Sequence, residues 1–285
     1  MKRNKSFDGN SVLYLVATPI GNLGEFSSRA LDIIKEVDVI GCEDTRNTQK
    51  LLSFFGIKKE LCSLREHNES TSSDYLIKRL LNGDKVAYVS DAGYPCISDP
   101  GNILAKKAIE AGINVSTICG SSAFLNALVS SGLPTDHFSF YGFVSPKDNE
   151  ATQELNALKG RAETLIFYES PHRIERTLKL FHQVLGDRNA VIGRELTKIN
   201  EEFVRGTLSE LSNMDCDTLK GEMVIIVEGN TSKEEVSDED VLIRLDELKK
   251  LGVDKKASIE ITSQELKVNK NHIKDLVIKA SDKLK

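Results

Sequence analysis

The stretch VLYLVATPIGNLGE at residues 12–25, with SSRALDIIKEVDVIG at 27–41 behind it, sets the reading of this chain. Val12 to Ala17 is an unbroken apolar run of strand length, and the Pro and Gly of TPIGNLGE punctuate a loop directly after it. Ser27 or Ser28 then offers an N-cap for a helix whose Ala30, Ile33, Ile34 and Val37 fall at i, i+3, i+4 and i+7. Val37 to Gly41 returns as a strand, so the unit is a buried strand, a loop, a helix and a second strand.

Outward from this unit the alternation continues. Periodicity predicts helices over 48–55, 74–81, 103–110 and 122–129, and strands over 57–64, 86–90 and 113–118. Such alternation implies right-handed crossovers and a largely parallel sheet, with ligands at the carboxyl ends of the strands. SGLPTD at 131–136 breaks the pattern, and the aromatic alternation of HFSFYGFV at 137–144 resumes it as a strand, which puts a domain boundary at 133/134. Strands near 164–168, 190–196, 203–206 and 223–228, with a helix over 174–185, predict a second, mixed α/β domain over 134–230. From Thr231 the composition turns acidic and then lysine-rich. Three short helices over 241–251, 256–263 and 271–280, with Leu266 and Val268 in the turn before the last helix, suit a helix-turn-helix or a small capping or dimerisation bundle.

At 285 residues, with 40% hydrophobic and 28% charged positions, the chain has core for two medium domains and an appendage. The net charge of −5 excludes a global basic field, so any polyanion must meet a local patch. Five scattered cysteines with no CxxC argue against a disulfide framework or zinc and for a reducing cytosol. The basic start MKRNKSFDGN leads into an apolar run too short for a signal peptide or a membrane span, so neither export nor insertion is expected. No metal is indicated, because the five histidines never approach HExxH spacing. GxGxxG, GxxxxGK[ST] and GxSxG are all missing. Pro19 moreover removes a backbone donor where a dinucleotide's pyrophosphate would need one. What remains is a set of polar loops after strands: SDAGYP at 90–95 with ISDPG at 97–101, CGSSA at 119–123, YESPHR at 168–173 and RELTK at 194–198. Four such loops in two domains predict a shared cleft.

In order along the chain, VATPIGNLGE, EDTRNTQKLL, SDAGYPCISDPG, GSSAFLNALVSSGLP, FYGFVSPK, FYESPHRI, RELTKINEEFVRG and GEMVIIVEG closely resemble the bacterial 16S ribosomal RNA cytidine 2′-O-ribose methyltransferases of the tetrapyrrole methylase superfamily, over about residues 11–230. The resemblance implies a two-domain, non-Rossmann α/β fold that clasps S-adenosylmethionine (SAM), with S-adenosylhomocysteine as product, and a helix-turn-helix-like C-terminal extension. It puts cofactor positions at Pro19, Ile20, Asp91, Gly93, Tyr94, Ser122, Ala123, Phe124, Tyr168, Glu195 and Met223. Tyr94 departs from the pattern, since a small Thr is expected in SDAGTP. The implied substrate is cytidine 1402 of 16S rRNA in the assembled 30S subunit, and the implied protein is a cytoplasmic homodimer.

Methyl transfer to a ribose 2′-hydroxyl depends on alignment of oxygen, carbon and sulfur and on a proton acceptor. The acceptors offered by the sequence are Glu43 and Asp44 in EDTR, Glu66 and His67 in REHNE, and Glu169 and His172 in YESPHR. Arg46, Arg65, Arg173, Arg194 and Lys198 suit phosphate contacts, and the lysine-rich tail suits an RNA arm. Two alternatives stand beside this reading: a tetrapyrrole C- or N-methyltransferase, and a SAM- or RNA-binding assembly factor without turnover.

Overall fold

The computed structural model describes residues 11–216, 218–231, 238–266 and 268–282. The basic start, residues 232–237 and the tail lysines Lys267, Lys283 and Lys285 lie outside the described residues.

The first half contains β1 (Val12–Val16), α1 (Ser28–Glu36), β2 (Val39–Cys42), α2 (Thr45–Phe54), β3 (Glu60–Ser63), α3 (Glu69–Leu81), β4 (Val86–Val89), α4 (Asn102–Glu110), β5 (Asn114–Ile118) and α5 (Ala123–Ser131). Its sheet runs β3-β2-β4-β1-β5 with every pair parallel. Parallel strands covered on both faces read as continuous apolar runs, and both faces are filled here. Val16, Ile40, Ala87 and Ile118 pack with Ala30, Ile33 and Ile34 of α1 on one side. Leu13, Val39, Val86 and Tyr88 pack with Leu76, Leu80 and Leu104 on the other. Ser27 caps α1 as the sequence predicts, its Oγ accepting the Ala30 N–H at 3.1 Å.

The second half contains β6 (Phe138–Gly142), α6 (Asp148–Leu158), β7 (Thr164–Glu169), α7 (Ile174–Leu185), β8 (Asn189–Arg194), β9 (Glu202–Thr207), α8 (Leu208–Ser212) and β10 (Met223–Val227). Its sheet runs β6-β7-β10-β8-β9, parallel between β6 and β7 and antiparallel elsewhere. One face packs Phe167 and Ile225 against Leu178 and Phe181 of α7. The other face joins the halves: Ile166, Val224 and Ile226 pack against Ala127 and Leu128 of α5, with Ile20 and Leu196 in the same cluster. Both sheets thus belong to one compact unit that ends at Asn230.

Several elements differ from the periodicity reading. α3 begins at Glu69 because its polar first turns, ESTSS, carry no apolar period to mark them. α6 shows only Ala151, Leu155 and Leu158 as buried anchors. α8 is a single turn set by a capping box between Thr207 and Glu210. The unit beginning at Thr231 contains α9 (Asp238–Lys250), α10 (Lys255–Leu266) and α11 (Lys270–Asp282), packed around Val241, Ile259, Ile273 and Leu276. Leu266 closes α10 there rather than lying in the turn.

One long-range cap shapes the region between β4 and α4. Glu69, 8% exposed, reaches from α3 so that its Oε1 accepts the N–H groups of Gly101 and Ile103 at 2.8 Å each. Two amide donors at the start of α4 are thereby satisfied. Glu69→Ala is expected to lower unfolding stability by about 1–3 kcal/mol, the cost of orphaning buried donors, and Glu69→Gln, which keeps an acceptor, by less; urea denaturation at pH 7 checks the order.

Candidate active site

A cleft of about 380 Å³ opens at the carboxyl ends of the first sheet and is closed by the second half. That volume lies in the range of small-molecule sites. Ile20 enters it from the loop after β1, Glu43 from β2, Asp91 to Tyr94 and Ile97 to Asp99 from β4, and Ser122 and Ala123 from the start of α5. Facing them are Phe143, Tyr168, Leu196, Lys198 and the Glu222 to Val224 segment.

Backbone and side-chain ties hold the loops together. Thr18 and Gly93 exchange two hydrogen bonds, Thr18 N–H to Gly93 O at 2.9 Å and Gly93 N–H to Thr18 O at 3.0 Å. Gly93 sits at φ +77°, a conformation that costs glycine nothing. The Tyr94 hydroxyl accepts the Gly120 N–H at 3.2 Å, so the departure from Thr serves as a strut to the loop after β5. Asp91 accepts from Asn47 Nδ2 at 2.7 Å and from the Asp44 N–H at 3.2 Å, which ties in the loop after β2. Across the cleft, the Lys198 stem lies over Gly21 and leaves no room for a Cβ there.

Among the described residues, four non-glycine positions have positive φ: Cys96 at 69°, Ser98 at 60°, Glu195 at 50° and Thr197 at 67°. All four fall in two loops that border the cleft from opposite halves. Strained backbone of this kind costs on the order of 1–3 kcal/mol per residue and concentrates at functional sites.

The cleft is rich in acid. Burial pushes Asp99 up to about 6, the charges of Glu43, Asp91 and Glu222 push the same way, and a hydrogen bond with Ser90 opposes them. Glu43 is also raised, first by burial and then by Asp91, while Arg65 pulls it back. Burial lifts Tyr168 to about 12. Burial pulls the Lys198 ammonium down, but its bond to Glu195 at 2.9 Å and the charge of Glu222 at 3.7 Å outweigh this, and the net shift is upward.

Of the cofactor positions taken from the sequence, the structure brings Ile20, Asp91, Gly93, Tyr94, Ser122, Ala123, Tyr168 and Met223 to the cleft wall. Pro19 is not on it. Phe124 stacks on Phe140 at 4.7 Å, Phe140 meets Tyr168 edge-on at 4.9 Å, and Glu195 turns its carboxylate to Lys198. Of the proton acceptors, Glu43 and Glu169 border the cleft. The Glu169 side chain is fully buried, accepting from Ser170 N–H at 2.7 Å and Thr177 Oγ1 at 2.6 Å, with Arg173 Nε at 3.4 Å. Asp44 caps α2 and grips Arg46 Nη2 at 2.6 Å, which holds its carboxyl far below the usual range. Glu66 and His67 form a 3₁₀ turn outside the cleft, and His172 lies against α6 and α7.

Of the cations, only Lys198 borders the cleft. Arg46 is 81% exposed at its side chain, and Arg65 donates Nε to the Glu43 carbonyl at 3.0 Å. Arg173 donates to the Val144 carbonyl at 2.7 Å, and Arg194 is held by Glu202 at 2.5 Å and by the Lys220 carbonyl at 3.2 Å. The cleft also uses Asp99, Phe143, Leu196, Glu222 and Val224, none of which the sequence singled out. Asp99 lay inside ISDPG and Leu196 inside RELTK, both already flagged as polar loops, whereas Phe143 lay in FYGFVSPK, which carried the resemblance but no site position. The described residues hold no cluster of three metal-ligating side chains and no helix long and apolar enough to cross a membrane.

The profile of the Tetrapyrrole (Corrin/Porphyrin) Methylases matches residues 12–212. The uroporphyrin-III-C-methyltransferase structure from Thermus thermophilus superposes with a TM-score of 0.55 over 77% of this chain and 94% of that one, at 18% identity. A two-sheet α/β body of this topology, with its cleft at the strand ends, is the tetrapyrrole methylase fold. Two relatives are each named ribosomal RNA small subunit methyltransferase I. The one from Bacillus subtilis (strain 168) is 46% identical over 244 residues, 84% of this chain and 83% of its own length. The one from Vibrio cholerae serotype O1 is 41% identical over 276 residues, 94% of this chain and 96% of its own. The chain belongs to the tetrapyrrole methylase family and, within it, to the methyltransferases that carry this name.

The upward shift at Asp99 has a consequence for stability. A carboxyl whose folded value, about 6, lies above its ordinary 3.8 contributes stability that is fully present below 3.8 and is lost as pH rises through about 6. Asp99→Asn is therefore expected to raise the melting temperature at pH 8 more than at pH 4; an equal change at both values would contradict the shift.

Proposed function

We propose that this protein transfers the methyl group of SAM to the ribose 2′-oxygen of a cytidine in 16S rRNA of the small ribosomal subunit, cytidine 1402 by the family resemblance. The observation that carries the reading is similarity at 41–46% identity over most of the chain to relatives named for small-subunit rRNA methylation. The cleft residues fit the cofactor. Ile20, Leu196, Val224 and Met223 supply an apolar slot for adenine, and Asp91, Asp99 and Glu43 suit ribose hydroxyls and cationic groups. The first N–H groups of α5 suit a carboxylate. When bound, SAM supplies an electrophilic methyl group on a sulfonium.

The protein's own part is to fix donor and acceptor in line. The Thr18–Gly93 and Tyr94–Gly120 ties hold one wall, and the Glu195–Lys198 pair holds the other. Phe143, 54% exposed and packed on Tyr168 at 5.6 Å, offers an aromatic face at the cleft to an unstacked base. Phosphate contacts fall to local cations, with Arg46 the most exposed. In the C-terminal unit, Arg244, Lys250 and Lys270 are each engaged in ion pairs, so its pull on RNA rests on the remaining lysines. A homodimer is part of the same proposal.

The deciding experiment incubates the pure protein with methyl-labelled SAM and small subunits from cells lacking the gene, then digests the RNA to nucleosides. Label in 2′-O-methylcytidine at one site is expected; SAM binding without product would favour an assembly role, and label in a tetrapyrrole the superfamily's other activity. Asp91→Ala is expected to weaken SAM binding about tenfold, some 1.4 kcal/mol, by calorimetry. Truncation after Thr231 is expected to leave SAM affinity intact while weakening subunit binding in a filter assay; subunit affinity equal to that of the full chain would refute the RNA arm.

A further inference from the structure

Resting on the methyl-transfer reading above, we propose that Arg173 is a positioning residue. Its guanidinium, braced by Glu169, locks the chain after β6 so that Phe143 stands at the cleft as the face on which the target base stacks. The sequence offers Arg173 to a phosphate, and the structure turns it inward. Its side chain is 25% exposed; Nη2 donates to the Val144 carbonyl at 2.7 Å and lies 3.5 Å from the Ser145 carbonyl. Nε lies 3.4 Å from Glu169 Oε1, is shielded from solvent and makes no hydrogen bond, so the carboxylate's charge is what compensates it.

Both ends of the brace are anchored. Glu169 closes β7 with its side chain fully buried, accepting from the Ser170 N–H and from Thr177 Oγ1. Arg173 donates its N–H to the Ser170 carbonyl at 3.1 Å, and its own carbonyl accepts the Thr177 N–H at 2.9 Å, so its backbone is set at the start of α7. What the guanidinium grips has fewer holds. β6 is an edge strand whose register with β7 slips between Phe140 and Gly142, and Gly142 leaves it at φ +67°. Phe143 follows, 54% exposed, bordering the cleft and meeting the Tyr168 ring at 5.6 Å. The next residue, Val144, is buried in the cluster that holds Ile174 and Leu178, and its carbonyl is the one that Arg173 holds.

Successive side chains of a strand point to opposite faces. On β7, Tyr168 therefore meets the Phe143 ring while Glu169, next along, reaches Thr177 of α7. One strand thus supplies both the ring that Phe143 packs on and the carboxylate that braces its loop. A stacked base sets where its ribose oxygen lies relative to the cofactor methyl, so a platform that swings loses the alignment on which the transfer depends. The brace needs a planar fork, because one group must hold a carbonyl through one nitrogen and face a carboxylate through another. A lysine, with one nitrogen on a flexible stem, keeps the charge and loses that geometry.

Three readouts on the full chain test this. In methylation of small subunits, Phe143→Ala and Arg173→Ala are each expected to lower kcat/KM about tenfold, the loss of one stacked base, with calorimetric SAM affinity unchanged. Arg173→Lys is expected to do no better than Arg173→Ala, and the double variant Phe143→Ala/Arg173→Ala no worse than either alone. Losses that multiply in the double variant would show that Arg173 does not act through Phe143. In subunit binding across a salt series, Arg173→Ala is expected to keep the wild-type slope. A slope smaller by about one, restored in Arg173→Lys, would assign Arg173 to a phosphate and overturn the proposal. The chain has no tryptophan, so Phe143→Trp places a lone fluorophore on the loop. Its quenching by acrylamide in the free protein is expected to rise when Arg173→Ala or Arg173→Lys is added; unchanged quenching removes the brace. Wild-type protein that labels no subunit RNA sinks the functional reading itself, and the quenching still reads whether Arg173 holds the loop.

Discussion

The pair of hydrogen bonds between Thr18 and Gly93 is the constraint on which the cleft depends. β1 and β4 lie side by side and parallel, so the loops that leave their carboxyl ends have no sheet partner of their own. The two-bond bridge makes those loops one surface, and the Thr18 hydroxyl adds a bond to the Ser90 carbonyl at 3.2 Å. Without the positive φ of Gly93 the second loop could not turn back to meet the first. Tyr94 then extends the surface to the loop after β5, and Asp91 extends it to the loop after β2. Four separate strand ends thereby act as a single wall.

The opposing wall is set by packing rather than by hydrogen bonds. α5 belongs to the first half by sequence, yet its Ala127 and Leu128 are buried against Ile166, Val224 and Ile226 of the second sheet. Ile20 and Leu196 lie in that cluster and in the cleft lining, so the interior that joins the halves runs directly into the site. The site itself works against stability. It gathers Glu43, Asp91 and Asp99 within mutual repulsion and holds two loops at strained φ. Extensive apolar cores on both faces of each sheet offset those costs.

Much of the fold was legible because the first sheet is buried on both faces: runs such as Val12 to Ala17 have no other stable use, and the caps and glycines fall where helices end. The mixed order of the second sheet was not legible, since pairing partners such as β10 with both β7 and β8 are long-range choices that local pattern does not encode. For the site, the Gly-bearing loops announced themselves, but which side chains of each loop face inward did not. Glu169 and Asp44 read as reactive acids, and a buried bond network and a helix cap absorb them. Asp99 read as part of a turn, and burial together with its neighbours changes its chemistry. Those differences arise from tertiary surroundings, which a single sequence does not display.

A crystal structure of the protein with S-adenosylhomocysteine bound is the most direct test of the tied-loop cleft as a methyl-transfer site. Ligand density is expected between the Gly93–Tyr94 loop and the Leu196 and Val224 wall, with the loops undisturbed. Density at another place on the chain, or a bound state in which the Thr18–Gly93 pair is broken, would contradict it.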